Sequence, residues 1–182
     1  VKEKAEGKAG PWEQFLAVSF STDEIKILPY NRVVKDLNGH SAEEFLELLA
    51  KTFDIGEDKA ELEPGKFNMY LQGKWYHLST KNHVLETGNP VDRLDVSILQ
   101  DHCLSALLDI EDPRRDSRVD FVGGIRGDAE LEKRVSEGWG AAFSLYPTSI
   151  LDLLAIADRD EVMPPKSTWF EPKLRDGLMI HK

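Results

Sequence analysis

The 182-residue sequence predicts an α+β fold, with a mixed β-sheet that includes two N-terminal hairpins packed against about four helices. Three observations lead there. A two-residue turn joins two strand-like runs near residue 72, and a capping box opens an amphipathic run at residue 41. From residue 91 onward, strand-like and helical patterns alternate.

In order along the chain, Val1–Gly10 (VKEKAEGKAG) reads as the charged end of a helix or a linker. It lacks an initiator Met, so the expectation is a piece of a larger protein: a linker over residues 1–14, then one α+β domain over 15–182. Phe15–Phe20 is dense in strand formers and faces Ile25–Leu28 across Ser21-Thr22-Asp23-Glu24, a first hairpin. Beyond Pro29, Arg32-Val33-Val34 resumes an extended run. Ser41 and Glu44 can answer each other's backbone amides, and Phe45, Leu49 and Phe53 recur at helical spacing behind them.

Phe67, Met69 and Leu71 then alternate up to Gln72-Gly73, and Trp75–Leu78 returns. A two-residue loop sets Tyr70 opposite Trp75 and Met69 opposite Tyr76. Phe67, Met69, Tyr76 and Leu78 thereby take the core face. Tyr70, Trp75 and His77 take the other, which is either a partner surface or covered by another part of the chain. Val91–Leu108 carries a stripe of Val96, Leu99, Cys103 and Leu107 and reads as one long helix. Arg118–Gly124 is a strand ending in two glycines, and Asp128 caps a helix bearing Leu131 and Val135 that Gly138 ends. Ala141–Tyr146 is a strand. Thr148-Ser149 caps Ile150–Ala157, apolar nearly all round and therefore expected to be buried. Gly177–His181 is expected to be the last strand.

Charge narrows the function classes. Lys plus Arg number 23 against 33 Asp plus Glu, a net charge of −10, which repels phosphate backbones and anionic lipid. Nucleic acid and membrane are therefore not expected partners. Cys103, the only cysteine, permits no internal disulfide and reads as a small buried hydrophobe. The apolar runs fall short of the ~20 residues that span a bilayer. The expected location is the cytoplasm.

Two stretches are poorly explained by packing. Asp120-Phe121-Val122-Gly123-Gly124-Ile125-Arg126-Gly127 breaks a strand into glycines before a helix. Exposed amides, a helix start and Arg126 would together hold a phosphate or carboxylate. The alternative is a tight turn that needs positive φ. Met163-Pro164-Pro165-Lys166-Ser167-Thr168-Trp169-Phe170-Glu171-Pro172-Lys173 holds Lys166, two hydroxyls and Lys173 between stiff proline ends; its alternative is an edge strand with solvated lysines. Arg114, Arg115, Arg118 and Arg126 sit among acids, and Arg114 and Arg115 read as part of a self-neutralising loop. The five histidines show no metal-ligand spacing, and Asp95 and Asp101 do not share a helical face, so neither a metal site nor a paired-carboxylate site is expected.

Together with Asp95–Leu99, these two motifs resemble the C-terminal half of the prokaryotic family called domain of unknown function 1015. Leu28-Pro29, Arg32 and Gly73-Lys74-Trp75-Tyr76 resemble it too, over nearly the whole chain from about residue 15. The resemblance implies a fragment whose missing N-terminal half is similar to the partition-protein/sulfiredoxin-like fold. Relatives of that fold include nucleotide-dependent small-molecule kinases and nucleotide hydrolases, while no activity is assigned to the family itself. Family members often carry His where this chain has Asn31 before Arg32.

The leading expectation is an anion-binding half, for a nucleotide or phosphorylated metabolite, of a two-part small-molecule enzyme. Gly123, Gly124 and Arg126 would hold the phosphate, with Lys166, Ser167, Thr168 and Arg32 nearby, and the N-terminal half of the same protein would be the partner. The alternative is a non-catalytic interaction or dimerisation domain built on Tyr70 and Trp75.

Overall fold

A computed structural model describes residues 13, 16–175 and 177. It divides into two compact units, a larger one of residues 27–169 and a smaller one formed by the chain on either side of it. The class is α+β. A six-stranded sheet of order β3-β5-β4-β7-β2-β6 lies in the larger unit, and β1 (Lys26–Leu28) forms a separate two-stranded sheet with β8 (Trp169–Glu171). The main sheet was expected to be mixed but is antiparallel throughout.

β4 (Lys66–Leu71) and β5 (Lys74–Thr80) form the hairpin read from the sequence, with Tyr70 opposite Trp75 and Met69 opposite Tyr76. Gln72 and Gly73 both have positive φ, the geometry of a turn matched to strand twist. β3 (Phe53–Glu57) extends the sheet beyond β5. On the other side β7 (Ala141–Ser144) joins β4 to β2 (Tyr30–Val34), and β6 (Val119–Gly123) is the far edge. Among the described residues the first N-terminal hairpin is absent. Ser21–Glu24 does turn, with the Glu24 amide on the Ser21 carbonyl at 3.0 Å, but residues 16–20 form no strand and β1 pairs with β8. The last expected strand lies outside the described residues, apart from Gly177.

Helices cover both faces of the main sheet. On one, α1 (Ala42–Leu49) and α3 (Asp95–Leu99) bury Phe45, Leu49, Val96, Ile98 and Leu99 against Phe53, Phe67, Met69, Leu78 and Phe143. The α1 capping box forms as read: the Ser41 amide donates to Glu44 Oε2 at 2.8 Å and the Glu44 amide to Ser41 Oγ at 3.2 Å. The expected helix starts four residues late, at Asp95: residues 90–93 form turns, in which the Asn89 side chain accepts from the Val91 amide. Beyond Leu99 the chain widens into a π-helix over Gln100–Ser105. Cys103 is fully buried there, and burial pushes its thiol up, out of reach of ordinary titration.

On the opposite face α4 (Gly127–Ser136) packs Leu131 and Val135 against Val33, Val122 and Ala142. It also covers Tyr70 and Trp75, whose indole donates to Glu132 Oε1 at 2.7 Å. The second aromatic face is therefore occupied by this chain's own helix. α5 (Ile150–Ala157) departs from expectation: Ile156 is buried, but Leu151 is 72% exposed and Leu154 is also exposed. The short α2 (Asn82–Leu85) and a 3-10 turn over Gly124–Arg126 are further helical elements among the described residues. No helix among them is long and apolar enough to cross a membrane.

Candidate functional site

Arg32 sits in the middle of β2, opposite Phe121 on one neighbouring strand and Phe143 on the other. Alternation along the strand puts it on the same face as Val34 and the main core, where only 4% of the residue stays exposed. Its guanidinium donates to the Tyr30 carbonyl and, at 3.0 Å, to the Lys166 carbonyl, and lies over the Phe121 ring at 4.9 Å. Those carbonyls use two of its five N–H donors. No carboxylate of the described residues lies in salt-bridge range of it. Burial without a counter-charge lowers its pKa to about 9. The same residue lines a cavity of about 290 Å3 with Gln100, Arg114 and Pro164. Arg114 is engaged there by a two-pronged bond to Asp112 at 2.9 and 3.0 Å, which holds that carboxyl down at about 2. With Arg118 bonded to Asp116, the basic loop neutralises itself as its sequence suggests.

The proline motif reaches Arg32 through a turn. Pro165 precedes Lys166, whose φ of 59° is left-handed, the pattern of a type II turn. The Ser167 hydroxyl closes the turn onto the Pro164 carbonyl, so this hydroxyl is structural. Lys166 projects its ammonium over the Tyr30 ring at 5.2 Å, and Thr168 follows half-buried.

Arg32, Lys166 and Ser167 thus converge, and Gly123 lies beside them opposite Tyr30. The glycine pair is explained by close approach, not by the expected positive φ. A Cβ on Gly123, whose φ is −60°, would meet the Trp169 ring at 2.5 Å. One on Gly124 would meet the Pro29 ring at 2.7 Å, and the Gly124 amide already donates to the Pro29 carbonyl at 2.8 Å. The left-handed glycine is Gly127, with φ of 65°. Arg126 is apart from the cluster: it is exposed and pairs at 3.6 Å with Glu130 of α4, which covers the other face of the sheet.

A second cavity, of about 470 Å3, opens around Asp95 and is walled by Pro64, Pro90, Tyr146, Pro147, Thr148 and Asp152. Sequence reasoning passed over Asp95 as a site residue. Its signal was an acid inside the mostly apolar run Leu94–Leu99. Hydrogen bonds link the two cavities: Thr148 donates to the Ser167 carbonyl at 3.4 Å, and the neighbouring Lys166 carbonyl accepts from Arg32.

Residues 1–97 match the family described as protein of unknown function (DUF1015). The chain belongs to this family. The match takes in Arg32, Gly73–Tyr76 and Asp95, while the glycine and proline motifs of this DUF1015 chain lie beyond it. No curated protein matches the chain. Among solved structures, it is similar to a free serine kinase in complex with AMP, at 17% identity and a TM-score of 0.47 over 84% of this chain and 56% of the kinase. It is also similar to a conserved hypothetical protein from Pyrococcus furiosus, at 16% identity and a TM-score of 0.48 over 84% of this chain and 59% of that one. The DUF1015 chain thus spans well under two thirds of either structure's length.

Proposed function

We propose that this chain binds a small phosphate-bearing anion, a nucleotide or phosphorylated metabolite, at Arg32, as one wall of a small-molecule enzyme completed by the other half of a longer protein. The observation that carries this reading is a guanidinium 4% exposed, without a carboxylate partner among the described residues, on the wall of a cavity. A buried charge left without a counter-ion costs several kcal/mol. An anion entering beside Gln100 would offset that cost and take up the spare N–H donors. Lys166 and Ser167 contribute by fixing the turn that aims Arg32. The two-part architecture follows from the family resemblance. A dimerisation reading loses its support, since α4 covers Tyr70 and Trp75.

The test is thermal unfolding of the chain with pyrophosphate, AMP or ADP. At ~100 times its dissociation constant a bound ligand adds about 2.7 kcal/mol, roughly 5–10 °C for a chain of this size. Arg32→Gln is expected to abolish the rise. No rise in the parent, or an equal rise in the variant, refutes the reading.

A further inference from the structure

The larger cavity plays no part in the reading above, yet it holds the less satisfied of the two buried charges. Asp95 is 8% exposed. Its Oδ1 accepts the Gly65 amide at 2.8 Å, whereas its Oδ2 is buried without a hydrogen bond of normal geometry among the described residues; the Tyr146 amide also bears on the carboxyl but makes no such bond to Oδ2. An orphaned carboxylate oxygen in a native fold is rare and costly, and calls for a donor. Asp95 stands in the wall of an open volume of about 470 Å3, with apolar walls from Pro64, Leu85, Pro90 and Ala155; Oδ2 itself has almost no surface open to that space, so a ligand reaches it by a small turn of the carboxyl group. A second carboxylate, Asp152, lines the same space from α5.

The geometry points to a second binding site in this cavity, for the primary ammonium group of a small organic molecule held against the Asp95 carboxylate. An ammonium supplies the N–H donor that Oδ2 lacks and the positive charge that two carboxylates favour, while the apolar walls suit an aliphatic body. The pair of acids disfavours a phosphate here, the one cation among the lining residues being Arg93.

The charged and titratable groups that line the cavity with Asp95 are Asp152 from α5, Arg93 from the turns before α3, and Tyr146 beyond β7. Burial, first, and the charge of Asp152, a lesser cause, raise the Asp95 pKa to about 7, against the pull of the Gly65 and Tyr146 amides. An ammonium ligand that prefers the ionised form tenfold gains affinity as pH rises, by about fivefold between pH 6 and 8, and levels off above.

The probe is n-propylamine, with n-propanol (a donor without charge) and tetramethylammonium (charge without a donor) as controls. Carbon-13 NMR of the Asp95 carboxyl in the full chain reads binding and titration together. Saturating propylamine is expected to lower the Asp95 midpoint by about one pH unit, the shift that a tenfold preference for the carboxylate gives. Asp95→Asn is expected to weaken propylamine binding at least tenfold while leaving the pyrophosphate response intact, and Arg32→Gln to do the reverse. An unmoved midpoint, equal binding of either control, or unchanged affinity in Asp95→Asn overturns the site. The carboxyl titration uses the parent chain, so it decides the matter even if the variant fails to fold. Loss of the pyrophosphate response alone overturns the Arg32 reading and leaves this one standing.

Discussion

Arg32 and Asp95 are both ionisable groups inside the larger unit, and they solve burial in opposite ways. Arg32 keeps its charge at any physiological pH, spreads it over two backbone carbonyls and the Phe121 ring, and still has N–H donors to spare. Asp95 is satisfied on one oxygen only and can give up its charge by holding a proton. A cation that stays charged near neutral pH asks for an anion, and a carboxyl that can be neutralised there waits for a donor or protonates. Each cavity therefore records a different unmet need.

The largest expected effect follows from that contrast. The folded-state pKa of Asp95, about 7, stands above its ordinary 3.8. Below pH 4 the group is protonated whether or not the chain is folded. Between pH 4 and 7 the unfolded chain releases this proton and the folded chain keeps it, so stability falls as pH rises through that window and is level above it. Three pH units at about 1.4 kcal/mol each bound the loss at about 4 kcal/mol. Asp95→Asn keeps the oxygen that accepts from Gly65 and removes the titration. Denaturant unfolding from pH 4 to 8 is expected to show the variant gaining on the parent up to that limit, with the gain complete by pH 8. Parallel profiles would mean that Asp95 is ionised in the folded chain like any surface acid.

A smaller effect separates the support of one cavity from the other. Gly124→Ala drives a methyl against the Pro29 ring and its carbonyl, 2.7 and 2.9 Å from the Cβ position, just before the strand that carries Arg32. Overpacking of this kind costs about 1–3 kcal/mol. The midpoint of unfolding is expected to fall accordingly and the pyrophosphate response to weaken, while the Asp95 titration stays where it is. A shift in the Asp95 midpoint as well would show that the cavities, linked through Thr148, Ser167 and Lys166, act as one unit.

What was legible in the sequence was local. The Ser41–Glu44 box and the Tyr70–Trp75 register depend on residues a few positions apart, and both formed as read. What was not legible depends on distant partners. Strand formers at residues 16–20 form no strand, and β1 beyond their turn has β8, over 140 residues away, as its neighbour. The apolar circumference of α5 predicted burial, yet the fold packs Ile156 and leaves Leu151 outside. The same divide runs through the site. Arg32 and the Lys166 turn were named from their motifs, whereas the Asp95 cavity is assembled from prolines at 64, 90 and 147 that no local pattern connects.

The smallest expected effect is the control that isolates burial as the cause. Arg126 carries the same guanidinium as Arg32 and follows the glycine pair, but its side chain is 64% exposed, and its contact with Glu130 at 3.6 Å is a surface pair. Such pairs contribute about 0–1 kcal/mol because water solvates both partners already. An anion gains little at Arg126 for the same reason: the cation has no desolvation cost to be relieved. Arg126→Ala is expected to shift unfolding by less than ~0.5 kcal/mol and to leave pyrophosphate affinity within about twofold of the parent. Calorimetric titration of both variants compares the two arginines directly. A loss at Arg126 as large as that at Arg32→Gln would mean that exposed charge near the glycine turn, not buried charge on β2, draws the anion.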